Sequence, residues 1–223
     1  MQSASKVSLD KATLARWSEK YLGRTIMNSR EITDGWFNTI HVLEMADGSK
    51  CVLKVSPPPA FACMRYERDI ITAEVAVIRH LSREGIHVPR VLADCPDGDG
   101  LGHPWFIMAF MEGESWERLR KNQPPERCGP VDAAIGRQAA LVNRIRGERF
   151  GRWKEDHCGS TSWTRSFLCM VDDLLADARD KAVQLPLPED RLRGIFEAGR
   201  EDLDLVKEPR LVLYDLHDGN VLV

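Results

Sequence analysis

One Asp-Gly pair, Asp47-Gly48, constrains the amino-terminal third of this chain more than any other feature. Apolar and polar residues alternate before it, from Ile40 to Met45, and again after it in Lys50-Cys51-Val52-Leu53-Lys54-Val55. Asp-Gly suits the positive φ of a tight turn, and a period of two suits strands with one buried face, so the segment predicts a β-hairpin. A second pair, Asp34-Gly35, precedes the first strand and predicts a further turn through Gly35, Trp36, Phe37, Asn38 and Thr39. A glycine turn of this kind can lay backbone N–H groups over a phosphate. Lys54 sits between Leu53 and Val55 and points to the opposite face from both. It is either an ordinary exposed strand residue or a cation reaching for a ligand.

Helical spacing appears on both sides of the hairpin. Leu9, Ala12, Leu14, Ala15, Trp17 and Leu22 predict an amphipathic helix over residues 8–22, with Ser8 as its N-cap. After Pro57-Pro58-Pro59, which forces an extended linker, Tyr66, Ile70, Ala73, Val77 and Leu81 predict another helix. Glu67 and Glu74 lie two turns apart on it and could share a face, so either is a candidate partner for Lys54. Residues 86–92 read as turn and strand, and Trp105 to Met111 as a buried strand ended by Glu112-Gly113. Helices follow over about 130–146, 164–182 and 189–203. Asp172, Asp173, Asp177 and Asp180 read as a solvated acidic face. The order, β-rich then α-rich, predicts an α+β fold.

Charge and cysteine usage exclude several classes. The net charge of −3 offers no general basic field for nucleic acid. No apolar run approaches the ~20 residues of a membrane span, and the polar start lacks a signal-peptide core. The six cysteines show neither a C-x-x-C pair nor Cys/His ligand spacing, which predicts unpaired thiols in a reducing cytoplasm.

Chemistry is signalled at the carboxyl end. Leu211-Val212-Leu213 runs up to Tyr214-Asp215, a polar turn follows, and Val221-Leu222-Val223 comes after Asn220. This predicts strand, loop and strand. Asp215 and Asn220 form D-x-x-x-x-N around a turn that Gly219 eases. Phosphoryl transfer is accelerated mainly by positioning and charge, and it calls for a carboxylate at the attacking hydroxyl and an oxygen ligand for magnesium. A D-L-H-D-G-N turn could equally be an Asx-type connection.

Taken in order, the glycine turn, strand lysine, helix glutamate, apolar strand and D-x-x-x-x-N resemble the aminoglycoside phosphotransferase family over nearly all of residues 25–223. That resemblance implies a bilobal protein-kinase-like fold, with an ATP-binding lobe over 1–112 and a helical lobe over 113–223 that carries the catalytic loop. It implies ATP and Mg2+ as cofactors, a small-molecule hydroxyl as substrate, and no nucleic-acid or membrane partner. By the same resemblance Asp215 is the catalytic base and Asn220 a metal ligand. Lys54 contacts the phosphates with Glu74 as its partner, and Gly35, Trp36, Phe37, Asn38 and Thr39 line them. Met108, Ala109, Phe110 and Met111 run beside the adenine. Family members carry a second metal-binding aspartate some way after the asparagine, whereas this sequence stops three residues past Asn220. The expectation is therefore a truncated kinase with weak transfer, or alternatively a non-catalytic nucleotide-binding relative.

Overall fold

The Asp47-Gly48 turn closes a hairpin in the computed structural model, which describes residues 4–33, 35, 37–154 and 157–223. Gly48 takes φ +81°, a conformation that a side chain would strain. Asp47 Oδ1 accepts from the backbone N–H and the hydroxyl of Ser49, at 2.9 and 2.6 Å. The described residues form two compact units. One runs to Cys63 and resumes over Asp69–Glu112, and the other joins Met64–Arg68 to Gly113–Val223. Nothing in the sequence marked Met64–Arg68 as belonging with the later residues.

The first unit contains α1 (Lys11–Leu22), β1 (Ile26–Ile32), β2 (Thr39–Met45), β3 (Lys50–Val55), α2 (Ile70–Arg83), β4 (Val91–Cys95) and β5 (Trp105–Ala109). Its five strands form one antiparallel sheet in the order β1-β2-β3-β5-β4. The alternation seen in the sequence sets its two faces. Leu43, Met45, Cys51, Leu53, Val55, Trp105 and Ile107 pack with Leu14 and Trp17 of α1. Trp17 stacks on Trp105 with ring centroids 4.5 Å apart. Phe106 and Met108 face the other way, against Ile71, Val75 and Ile78 of α2.

Two expectations change here. Asp10, not Ser8, caps α1: its side chain accepts from Thr13 N–H at 2.7 Å, and Ser8 stands two residues too early for that reach. Strand β1 was not foreseen. It pairs on one side only, with β2, and its Ile-Met-Asn-Ser-Arg-Glu-Ile sequence lacks the alternation of a strand with one buried face.

His41 lies inside this sheet. It is buried, neither ring nitrogen has a hydrogen-bond partner among the described residues, and Glu31 stands opposite on β1. Burial holds the imidazole below its ordinary value of 6.5, and Glu31 offsets part of that effect. Burial lowers His103 as well. The unfolded chain takes up these protons first, so the stability is complete above about pH 6.5 and is lost as pH falls below it. The urea midpoint of unfolding is expected to be lower at about pH 5.5 than at about pH 7.5, and His41→Leu should narrow that gap. An unchanged gap would remove His41 from this account.

The second unit contains α3 (Trp116–Arg120), α4 (Pro125–Val142), α5 (Trp163–Asp180), α6 (Glu189–Ala198) and α7 (Arg200–Leu203), with 3₁₀ turns at Arg65–Glu67 and Asp218–Asn220. Helix α4 starts five residues before the expected position because Pro125 fits its first turn, leaving Pro130 inside. The acidic residues of α5 are not one solvated face. Asp173 and Asp177, four residues apart, are buried, and arginines neutralise both. Arg152 donates twice to Asp173 at 3.1 Å. Arg65 bonds Asp177 through its guanidinium and, at 2.9 Å, through its backbone N–H. Buried carboxylates persist only with such partners, and these arginines lie too far away in sequence to be seen beforehand. Asp172 and Asp180 are exposed and paired with Arg193 and Arg65.

The cysteine expectation also fails in part. Cys158 and Cys169 form a disulfide with Cα atoms 5.3 Å apart, while Cys51, Cys63, Cys95 and Cys128 are unpaired thiols. The cause is local. Phe150 and Ser160 exchange backbone hydrogen bonds at 2.7 and 3.1 Å, closing the loop between them and bringing Cys158 onto α5. Burial pushes the Cys51 thiol up to about 11. No helix among the described residues is long and apolar enough to cross a membrane.

Candidate active site

Lys54 stands opposite Ile40 on β2 and Phe106 on β5. Residues directly opposite share a face, so Lys54 turns toward α2 with Phe106. There its Nζ donates to both carboxylate oxygens of Glu74, at 2.8 and 2.6 Å. The two side chains are 19% and 30% exposed, so the pair is partly shielded from water and still reachable. Glu67 is engaged elsewhere, its Oε2 accepting from Met64 N–H at 2.7 Å. Helix α2 begins only after Asp69, which takes φ +55°, so Glu67 and Glu74 do not share a helix.

The turn before β2 is held from the amino-terminal side. Lys6 Nζ donates to the Asn38 carbonyl at 2.6 Å, and Val7 N–H donates to Thr39 Oγ1 at 2.8 Å. Thr39 is fully buried, so its hydroxyl serves the unit's interior and is not presented to a ligand. The Phe37 ring meets Phe61 edge-on at 6.0 Å, and Gly35 lies near the Ile40 side chain. Trp36, with Asp34, lies outside the described residues. Met108 and Ala109 close β5, and beyond them Phe110 and Met111 leave the sheet. The Phe110 ring carries the Lys50 ammonium 5.3 Å from its centroid.

In the second unit, Asp215 and Asn220 meet directly. Asn220 Nδ2 donates to the Asp215 carbonyl at 2.9 Å and to its Oδ2 at 2.8 Å. The Asp215 side chain is 80% exposed, with Oδ1 3.9 Å from His217 Nε2. The Asp218–Asn220 turn is closed by Gly219 N–H donating to His217 Nδ1 at 3.1 Å. A Cβ on Gly219 would lie 2.7 Å from His217 Cε1, so a larger residue displaces that ring. Asp218 accepts from Arg120 at 2.9 Å, and Arg120 also bonds Asp132 at 3.0 and 2.8 Å. Asp132 in turn accepts from the indole N–H of buried Trp116 at 3.2 Å. The Asp218 carboxylate holds the Arg120 guanidinium above its ordinary value. Nearby, burial raises the Tyr66 phenol, and the charges of Glu67, Asp177 and Asp215 with the Tyr214 phenol add to it.

The flanks of this loop are not the strands that were expected. Arg146 and Arg210 form a single bridge, as do Ser115 and Leu222. The partner residues are Arg146, four residues past the end of α4, and Ser115, the N-cap of α3, and each makes an isolated bridge. Further bonds hold the loop ends, from Leu211 N–H to the Ile145 carbonyl at 3.0 Å and from Trp116 N–H to the Val221 carbonyl at 2.8 Å.

The model of the phosphotransferase enzyme family matches residues 29–223. The chain belongs to the phosphotransferase enzyme family. Solved structures share this family's kinase-like α+β fold with it. A Thermobifida fusca protein assigned as a fructosamine-3-kinase aligns over 96% of this chain and 70% of its own, at 19% identity and a TM-score of 0.60. A Ralstonia eutropha protein assigned as an aminoglycoside phosphotransferase aligns over 89% and 56%, at 15% identity and 0.54. A macrolide 2'-phosphotransferase type I aligns over 97% and 69%, at 14% identity and 0.56. No curated protein sequence matches significantly. Sequence reasoning missed Lys6, Arg120 and Asp132. No motif marks them, because each acts by bonding to a residue remote in the chain.

Proposed function

We propose that the protein transfers the γ-phosphoryl group of ATP to a hydroxyl of a small molecule. The observation that carries this reading is the Asp215–Asn220 pair, held in one turn anchored through Asp218, Arg120 and Asp132. Asp215 Oδ1 orients the acceptor hydroxyl and receives its proton. The hydroxyl oxygen bonds to the γ-phosphorus, the bridging bond to the β-phosphate breaks, and ADP leaves. Lys54, kept extended by Glu74, contacts the nucleotide phosphates. Gly35, Phe37 and Asn38 approach them from the turn, and Met108 to Met111 contribute backbone beside the base.

The donor set suits magnesium. With its amide nitrogen engaged by Asp215, Asn220 offers its Oδ1 as a hard oxygen ligand. When bound, the ion neutralises charge on the transferring phosphates.

The test offers fructosamines, aminoglycosides and macrolides, the compounds named for the structural relatives, with MgATP to the protein. Phosphorylated product is read by mass spectrometry, and ATP binding by calorimetry with and without Mg2+. Magnesium-dependent product supports the reading. ATP binding indifferent to Mg2+, with no product, replaces it with a non-catalytic nucleotide-binding protein.

A further inference from the structure

A second cluster, unrelated to phosphoryl transfer, lies where the loop after α4 meets α5. Four metal-ligating groups converge there: His157, Cys158, Cys169 and Asp173. Cys169 and Asp173 are four residues apart on α5 and so share a face. His157 and Cys158 are neighbours on the loop. The ligand atoms of His157, Cys158 and Cys169 all lie within 4.8 Å of one another. His157 Nε2 is 2.9 Å from Asp173 Oδ1 and 3.6 Å from Cys158 Sγ, and Cys158 Sγ is 3.6 Å from Asp173 Oδ2.

These separations are those of one metal's coordination shell. Around a tetrahedral zinc with Zn–S near 2.3 Å and Zn–N or Zn–O near 2.0 Å, nitrogen and sulfur ligands lie about 3.5 Å apart. Nitrogen and oxygen lie about 3.3 Å apart, and two sulfurs about 3.8 Å apart. The sulfurs must separate from their bonded position, and His157 Nε2 and Asp173 Oδ1 must open by about 0.4 Å. Two thiolates with an imidazole favour zinc over magnesium or calcium. The charges also balance: two thiolates and one carboxylate are matched by Zn2+ and by Arg152, which already holds Asp173 Oδ2. Asp173 Oδ1 is left to face the imidazole. Cys158 and Asp173 are buried, so the site keeps water from half of its ligands.

We propose that His157, Cys158, Cys169 and Asp173 form a zinc site in the reduced protein, and that the Cys158–Cys169 disulfide is its oxidised, metal-free form. A dithiol reductant passes two electrons and two protons to the sulfur pair and leaves as its own disulfide. Zinc then displaces both thiol protons as two Zn–S bonds form, releasing two protons. A disulfide oxidant reverses the sequence: it takes two electrons from the thiolates and two protons from solvent, leaves as its own dithiol, and the ion is expelled.

The full untagged chain is reduced with excess dithiol, freed of reductant under anaerobic conditions, and given Zn2+ or Co2+. The expected result is one zinc per chain retained through gel filtration. Zinc should slow alkylation of Cys169 in the reduced chain while leaving the half-buried Cys63 and Cys128 unchanged, and the cobalt form should show thiolate-to-metal charge-transfer absorption. Cys169→Ser and His157→Ala should each lower zinc affinity at least about tenfold, while Cys128→Ser should not. The oxidised chain should retain no zinc. Alkylation of Cys169 at the same rate with and without zinc, no charge-transfer band with cobalt, or equal retention by the oxidised chain would overturn the proposal. The alkylation rates and cobalt spectrum need only the natural sequence, so a misfolding variant cannot spare it.

Discussion

Asp215→Asn is expected to lower kcat for phosphoryl transfer by about 10²- to 10⁴-fold, the range set by loss of a positioned general base. The substitution keeps the side chain's size and an oxygen that can still accept from Asn220 Nδ2, so the Asp218–Asn220 turn should survive. What is lost is a charged acceptor for the hydroxyl proton. ATP affinity should change less than about twofold, because Asp215 acts on the acceptor side of the reaction. Asn220→Ala should differ in kind, raising the magnesium concentration needed for half-maximal rate. A fall in kcat with ATP affinity intact, read from initial rates and calorimetry, separates a catalytic role from a folding defect. If ATP affinity collapses together with kcat, the turn has lost its shape.

Lys54→Met carries the second largest effect, a loss of roughly 10²-fold in kcat/KM for ATP, the scale of removing one electrostatic contact to reacting oxygens. Methionine preserves the apolar stem between Leu53 and Val55 while deleting the ammonium. Glu74→Gln should cost less, about tenfold, since the amide oxygen can still accept one of the two hydrogen bonds now at 2.8 and 2.6 Å. The double variant should be little worse than Lys54→Met alone, because Glu74 acts only through the lysine. Fully additive losses would show that Glu74 touches the nucleotide on its own account, or that the pair is not part of the site.

Legibility in the sequence followed the range of the interactions. The hairpin was plain because Asp47-Gly48 and the alternation beside it are local, and the D-x-x-x-x-N turn was plain for the same reason. Lys54 could be assigned a face from its neighbours, and the family resemblance picked Glu74 as its partner where helical spacing alone left Glu67 open. Extended Arg68 ends the 3₁₀ turn and left-handed Asp69 opens α2, which sets Glu67 apart from Glu74. Helical periodicity alone ran straight through the break. Strand β1 escaped because an edge strand needs little apolar alternation. The buried Asp173 and Asp177 looked like a solvated face because Arg152 and Arg65 neutralise them from elsewhere in the chain. The same blindness hid the disulfide: a spacing of eleven residues signals nothing until the loop folds back on α5. The Arg120–Asp132–Trp116 support of the Asp215–Asn220 turn belongs with these cases.

The central claim is that the Asp215 turn performs phosphoryl transfer. The direct measurement compares the natural chain with Asp215→Asn at equal concentration, with MgATP and the hydroxylated panel, and quantifies phosphorylated product by mass spectrometry. The account predicts product from the natural chain that vanishes without magnesium and falls at least about a hundredfold in the variant. Equal product from both chains would contradict it.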